Sequence, residues 1–212
     1  MLQAVKFSCT SLNGTGKQGI LPPDADGYRQ MPIGGLNCFN SAGEYYPYQT
    51  AKNLFEQSSA FMRRVKTACL KGEYGHPKRV PGQSMDEFTR RVMQVEEKFV
   101  CVHFKEIWLD FDSIKDVNGR PIVSVMASLR PTGPYADALD RSLNNPKEDV
   151  CFSVRAFTED VRSGGVNNRN LVEIVTYDFV NEPGISTARK YKAPALESYG
   201  DEIITRENLV GA

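Results

Sequence analysis

The hydrophobic pattern changes character three times along the chain. Residues 11–47 show no sustained period. Breakers at Leu21-Pro22-Pro23-Asp24 and Ile33-Gly34-Gly35 predict an irregular arm with at most short strands. Over 48–70 the period becomes helical, with Leu54, Phe55, Phe61, Met62, Val65 and Cys69 on one stripe and Lys52, Glu56, Arg63, Arg64 and Lys66 mostly facing away from it. Gly72 is the expected stop of that helix. Residues 85–95 fit either a short helix or an extended lead-in.

Alternating, β-branched and aromatic runs follow. Residues 99–109 and 122–129 read as strands joined through a turn at Asn118-Gly119. Pro131-Thr132-Gly133-Pro134 opens a second helix, with Ala138, Leu139 and Leu143 inward and Asn144-Asn145-Pro146 closing it. Residues 150–157 and 171–180 are two further strands, around a polar turn at Ser163-Gly164-Gly165. From Ser186 onward the pattern is polar and the tail looks detachable. The sum is an α+β domain: an antiparallel sheet or barrel core with packed surrounding helices. The expected limits are a domain over 1–188, of which 1–39 is the arm, and a polar tail over 189–212.

Composition narrows the class. The 212 residues are 41% hydrophobic, and 26 Lys and Arg balance 26 Asp and Glu. No basic excess asks for nucleic acid, whose binders need cations for the phosphates. The first ten residues lack the basic region and apolar core of a secretory signal, and no run of some 18 apolar residues suggests a membrane span. The five cysteines, Cys9, Cys38, Cys69, Cys101 and Cys151, are odd in number and scattered, which reads as free thiols in a reducing compartment. The Asn13-Gly14-Thr15 sequon is then idle.

Few residues can carry chemistry. Two histidines and no Cys-x-x-Cys pair leave no metal site, and no cofactor is implied. Gly14-Thr15-Gly16-Lys17-Gln18 imitates the end of a phosphate loop but lacks its first glycine and its magnesium-binding hydroxyl. His103 lies in a β-rich run and reads as a half-buried strand residue. His76 stands in Gly72-Glu73-Tyr74-Gly75-His76-Pro77, where Pro77 holds it extended in a loop, a setting that suits a general base. Ser153 lies in a strand, where most serines are structural. Asp178, inside the apolar run Val175-Thr176-Tyr177-Asp178-Phe179-Val180, is costly unless paired. Nucleophile, base and orienting acid are the three roles that His76, Ser153 and Asp178 could fill, if the fold brings them together.

Four segments, taken in order, resemble the prohead (capsid maturation) proteases of myovirus-type tailed phages, distant relatives of herpesvirus assemblin. They are Asn40-Ser41-Ala42-Gly43-Glu44-Tyr45-Tyr46-Pro47, Gly72-Glu73-Tyr74-Gly75-His76-Pro77, Cys151-Phe152-Ser153-Val154-Arg155-Ala156 and Asp178-Phe179-Val180-Asn181-Glu182-Pro183-Gly184. The resemblance spans residues 40–188. It implies a serine endopeptidase of herpesvirus-protease-like fold, with His76 as base, Ser153 as nucleophile and Asp178 completing the triad. Arg155 would contribute to the oxyanion hole. Cys151, Val154 and Ala156 depart from the family's Gly-Val-Ser-Ser-Arg-Gly.

The implied substrates are phage scaffold, core and capsid precursor proteins, cut after Glu in small-x-Glu sites by a cationic or hydrogen-bonding pocket. The implied location is the prohead interior, with a homo-oligomer possible. Ala195-Leu196-Glu197-Ser198 is such a site in this chain and predicts self-cleavage between Glu197 and Ser198. Two alternatives stand beside this reading: a thiol peptidase using Cys151, two residues from Ser153 on the same strand face, and a non-catalytic scaffold or core component.

Overall fold

A computed structural model describes residues 19–116 and 118–193, together with the backbone of 197–198. The sequon at Asn13 and the phosphate-loop-like stretch 14–18 lie outside the described residues. In chain order the strands are β1 (Gly19–Ile20), β2 (Arg29–Leu36), β3 (Cys38–Phe39), β4 (Tyr45–Tyr46), β5 (Lys71–Glu73), β6 (Val100–Asp110), β7 (Val123–Pro131), β8 (Cys151–Ser163), β9 (Val166–Val180) and β10 (Glu197–Ser198). The α-helices are α1 (Tyr48–Ala51), α2 (Ala60–Lys66), α3 (Met85–Met93) and α4 (Ala136–Asn144).

The fold is mixed α+β. Its described strands make two four-stranded sheets, β2-β7-β6-β5 and β3-β4-β9-β8, plus the two-stranded pair β1-β10, rather than a closed barrel. The sheets meet where β5 runs beside β9. Tyr74 bridges to Phe179, and the Thr176 hydroxyl donates to Lys71 O at 2.6 Å. The approach is so close that a Cβ on Gly72 would stand 2.1 Å from Tyr177 O. Gly72 is therefore a seam residue, not a helix stop. Gly72→Ala should destabilise the fold by roughly 1–3 kcal/mol through forced separation of the strands. Urea unfolding reads this directly, and an unchanged midpoint would show that the seam yields.

The helix expected over 48–70 is broken in two. Ser59 is the cause: its hydroxyl donates to Leu54 O at 2.7 Å and accepts from Met62 N–H at 3.0 Å, ending one turn and capping α2. Phe61, Met62 and Val65 face the core as expected. At the other end Ala68 takes a positive φ of 57°, and Cys69 N–H reaches back to Arg64 O at 2.9 Å. That reversal leaves Cys69 exposed, off the predicted stripe. Within 85–95 the helix α3 forms over Met85–Met93, with Ser84 and Glu87 in a reciprocal capping box, and Gln94 is extended.

Two further expectations are corrected. The arm contains β2, an eight-residue strand whose Met31, Ile33 and Leu36 are core residues. Its Pro32 and paired glycines disguise it. They serve a bulge against β7 and a tight contact, since a Cβ on Gly34 would meet the Tyr177 ring at 2.9 Å. The residues expected to begin the polar tail, from 186 or 189, are packed against the domain. Thr187, Ala188 and Lys190 are buried, and Lys190 Nζ donates to Ser142 O at 3.0 Å and Asn145 O at 2.8 Å, capping α4. Burial draws the Lys190 ammonium down to about 8.

β8 and β9 form one long antiparallel hairpin, turned by Gly164 and Gly165 with φ of 59° and 81°. Two successive positive φ values are what a tight hairpin turn requires. The base of this hairpin carries two of the candidate residues, Ser153 and Asp178.

Candidate active site

Register on the hairpin pairs Ser153 directly with Asp178. Residues so opposed in an antiparallel ladder share a face and sit about 5 Å apart at Cβ. From the other side, the seam brings the His76 loop to Asp178. Gly75 makes that loop possible: its φ is 80°, and its N–H donates to Phe179 O at 2.7 Å. His76 Nδ1 then lies 2.7 Å from Asp178 Oδ2.

Asp178 is fully buried and each oxygen accepts twice. Oδ1 takes Glu73 N–H at 3.0 Å and Arg155 Nη2 at 2.7 Å. Oδ2 takes His76 Nδ1 and, at 2.8 Å, Arg155 Nε. Burial by itself would raise its pKa. The hydrogen bonds from His76 and Arg155, with the charge of Arg155, outweigh burial and hold the carboxyl below its ordinary value. An ionised carboxylate only accepts, so Nδ1 carries the imidazole proton and Nε2 is left as the basic nitrogen. The His76 side chain is 37% exposed, open to a reactant.

Beneath the pair lies a charge network that the sequence reading missed. Glu73, 1% exposed, accepts two hydrogen bonds from Arg91, at 3.1 and 2.6 Å, and one from Glu96 N–H at 2.6 Å. It also pairs with Arg155 Nη2 at 3.1 Å. Arg155 Nη1 donates to Gln94 O at 2.8 Å. Every nitrogen of the Arg155 guanidinium is thus turned to Asp178, Glu73 or a carbonyl of the segment after α3. Glu73 was present in the His76 motif. Its burial was hidden because strand β5 is only three residues long.

Ser153 is half-buried and its hydroxyl makes no hydrogen bond among the described residues. It lines a cavity of about 60 Å³ with Gly34, Tyr46, Gly184 and Ala188, whereas His76 lines a separate cleft of about 320 Å³ with Tyr74, Pro77, Val80 and Phe99. Tyr74 stacks on Tyr135 at 5.3 Å, and both rings are exposed. His103 is placed otherwise: half-buried on β6, with Nδ1 2.9 Å from the Tyr28 hydroxyl and Nε2 3.0 Å from Ala68 O. Cys151 is buried, and burial pushes its thiol up to about 11. The backbone at the predicted cut is strand-paired, Glu197 with Ile20 and Ser198 with Gly19.

No helix among the described residues is long and apolar enough to cross a membrane, and the four described cysteines are unbridged. One buried carboxylate thus holds an imidazole and is paired across the ladder with a serine, and these are the residue types that serine hydrolases use. Residues 7–210 match the Peptidase S80 family. Over 204 residues the chain is 40% identical to the "Capsid maturation protease" of Pseudomonas phage phiKZ, covering 93% of this chain and 74% of that protein. The chain belongs to the Peptidase S80 family, as a serine peptidase of the phage capsid-maturation class. No solved structure matches it.

Proposed function

We propose that this chain is a prohead endopeptidase that cuts scaffold and capsid precursor proteins with a triad of His76, Ser153 and Asp178. The observation that carries the reading is the 2.7 Å contact from His76 Nδ1 to a buried carboxylate whose strand partner is Ser153. In the reaction, His76 Nε2 takes the hydroxyl proton as Ser153 Oγ bonds to the scissile carbonyl carbon. The same proton then passes to the departing amine as the C–N bond breaks, and water repeats the cycle on the acyl-enzyme. Asp178 fixes the tautomer and stabilises the imidazolium. The Arg155 side chain enters as the group that fixes Asp178.

Specificity after Glu in small-x-Glu sites, and self-cleavage between Glu197 and Ser198, complete the proposal. They rest on the motif resemblance, as does a herpesvirus-protease-like ancestry for the fold. Substrate proteins of the assembling shell and action within the prohead fit the relative's description. A protease takes its substrate as an extended strand, so the pairing of Glu197 with Ile20 has to open before the tail can be cut.

The test is the intact mass of purified protein over time, wild type beside Ser153→Ala. Wild type should lose residues 198–212 and the variant should not. Loss from both at equal rates would overturn the Ser153 assignment. The thiol reading is disfavoured because a buried Cys151 pushed up to about 11 is protonated at neutral pH. Alkylating the native protein with iodoacetamide is accordingly expected to leave peptide turnover intact, and inactivation that tracks Cys151 labelling would restore that reading.

A further inference from the structure

One charge in this mechanism is still unheld: the oxyanion formed when Ser153 Oγ adds to the carbonyl. The Arg155 guanidinium is spent on Asp178, Glu73 and Gln94 O. Donors must come from elsewhere around the serine.

The segment after β9 closes over Ser153 and is pinned on all sides. Ser41 N–H donates to Gly184 O at 2.8 Å, Phe152 N–H to Ala188 O at 3.0 Å, and Lys190 N–H to Val150 O at 2.8 Å. Between these pins Ala188 N–H donates to Ile185 O at 2.9 Å, closing a β-turn, and Arg189 N–H donates to Thr187 O at 2.9 Å. The carbonyls of Gly184, Ile185, Thr187 and Ala188 in this segment are thereby used. Its amides are not: the N–H groups of Gly184, Ile185, Ser186 and Thr187 donate to no acceptor among the described residues. Successive free N–H groups on a turn make a concavity for an anion.

This turn is at the nucleophile. A Cβ built on Gly184 would lie 3.6 Å from Ser153 Oγ, and Gly184, Ala188 and Ser153 line the same cavity. The bridge between Cys151 and Arg189 sets Ala188 beside Phe152, so Thr187 falls at the register position next to Ser153. Thr187 is 4% exposed, and its buried hydroxyl has no hydrogen-bond partner among the described residues. A buried, unpartnered hydroxyl costs stability unless something uses it.

We propose that the 184–187 turn is the oxyanion hole, its backbone N–H groups receiving the carbonyl oxygen that Ser153 attacks. The assignment rests on Ser153 being the nucleophile. As the Oγ–C bond forms, the carbonyl π pair moves onto oxygen and is held there by the turn. It returns to the carbon–oxygen bond when the amine departs with the proton from His76.

The experiment uses the full chain, labelled with ¹⁵N, and a peptide boronic acid reproducing residues 194–197 with boron in place of the terminal carboxyl. Attack by Ser153 gives a tetrahedral adduct with one oxygen at the oxyanion position. Intact mass reports the adduct, and amide spectra report the turn. The expected result is an adduct on wild type and not on Ser153→Ala, with amide protons among Gly184–Thr187 moving downfield. An adduct that leaves all four amides in place overturns the turn assignment while Ser153 survives. No adduct on wild type overturns both together. In parallel, Gly184→Pro removes one of the four N–H groups, on the residue whose Cβ would lie 3.6 Å from Ser153 Oγ, and should lower kcat by roughly 10²–10³-fold with KM little changed. A folded variant that keeps kcat within about threefold of wild type counts against the assignment.

Discussion

Asp178→Asn is expected to lower kcat for a peptide spanning residues 194–200 by about 10⁴, the scale set by a mispositioned imidazole tautomer. Each oxygen of Asp178 receives two donors: Glu73 N–H and Arg155 Nη2 on one, His76 Nδ1 and Arg155 Nε on the other. An amide offers one acceptor and one donor group. Whichever way it turns, its NH₂ confronts two donors. If it faces His76, the imidazole must shift its proton to Nε2, the nitrogen that has to accept the Ser153 proton. If it faces Glu73, the amide N–H and one arm of Arg155 lose their acceptor. The measurement is single-turnover hydrolysis on variant protein shown to be folded by its melting profile. Activity within about tenfold of wild type would remove Asp178 from the mechanism, whatever its place in the geometry.

The largest stability effect should follow Arg155→Met. Its guanidinium, 3% exposed, stands between Asp178 and Glu73, at 0% and 1%. Removing it leaves two carboxylates in the interior, of which only Glu73 keeps an arginine partner, Arg91. Breaking one partner out of a buried pair costs about 3–5 kcal/mol. The loss should depend on pH with a definite sign. Asp178 has its pKa lowered below 3.8 in the fold. Its contribution is therefore present above the unfolded value and disappears as pH falls through the lower folded value. Without Arg155 that contribution shrinks, so the gap between variant and wild type should be wide at neutral pH and narrow on acidification. Urea titrations at both ends check it. An equal gap at the two pH values would mean that lost packing, not lost charge, dominates.

The two variants also separate roles that share one cluster. Asp178→Asn acts on the proton path, whereas Arg155→Met acts on the pairing that keeps the acid in place. Arg155→Lys would retain charge without the two-pronged geometry, and should recover part of the stability.

Several elements were legible in the order of residues. The strands β6, β7, β8 and β9 and the helix α4 follow from local period and turn chemistry, and the structure moves their ends without moving their identity. The inward set Phe61, Met62 and Val65 was legible as well. So were His76, Ser153 and Asp178 as candidates, because a loop histidine beside proline and a carboxylate in an apolar strand each break a local rule. Their order beside Tyr46-Pro47 placed the chain among phage maturation proteases.

What the tertiary structure decided is everything that depends on which segments approach. β2 contradicts its own composition, because Pro32 and Gly34 are tolerated only where a bulge and the Tyr177 ring demand them. The 48–70 helix breaks at Ser59 because one hydroxyl serves two helix ends at once, which hydrophobic period does not register. Lys190 sits in the interior because the end of α4 offers it carbonyls. The Arg155 side chain holds Asp178, because Glu73 and Asp178 reach it from two other strands, β5 and β9. Period and propensity are local quantities, summed over neighbours in the chain. The seam between β5 and β9, which brings His76 to Asp178 across 102 positions, is a contact between distant segments, and only the packed fold supplies it.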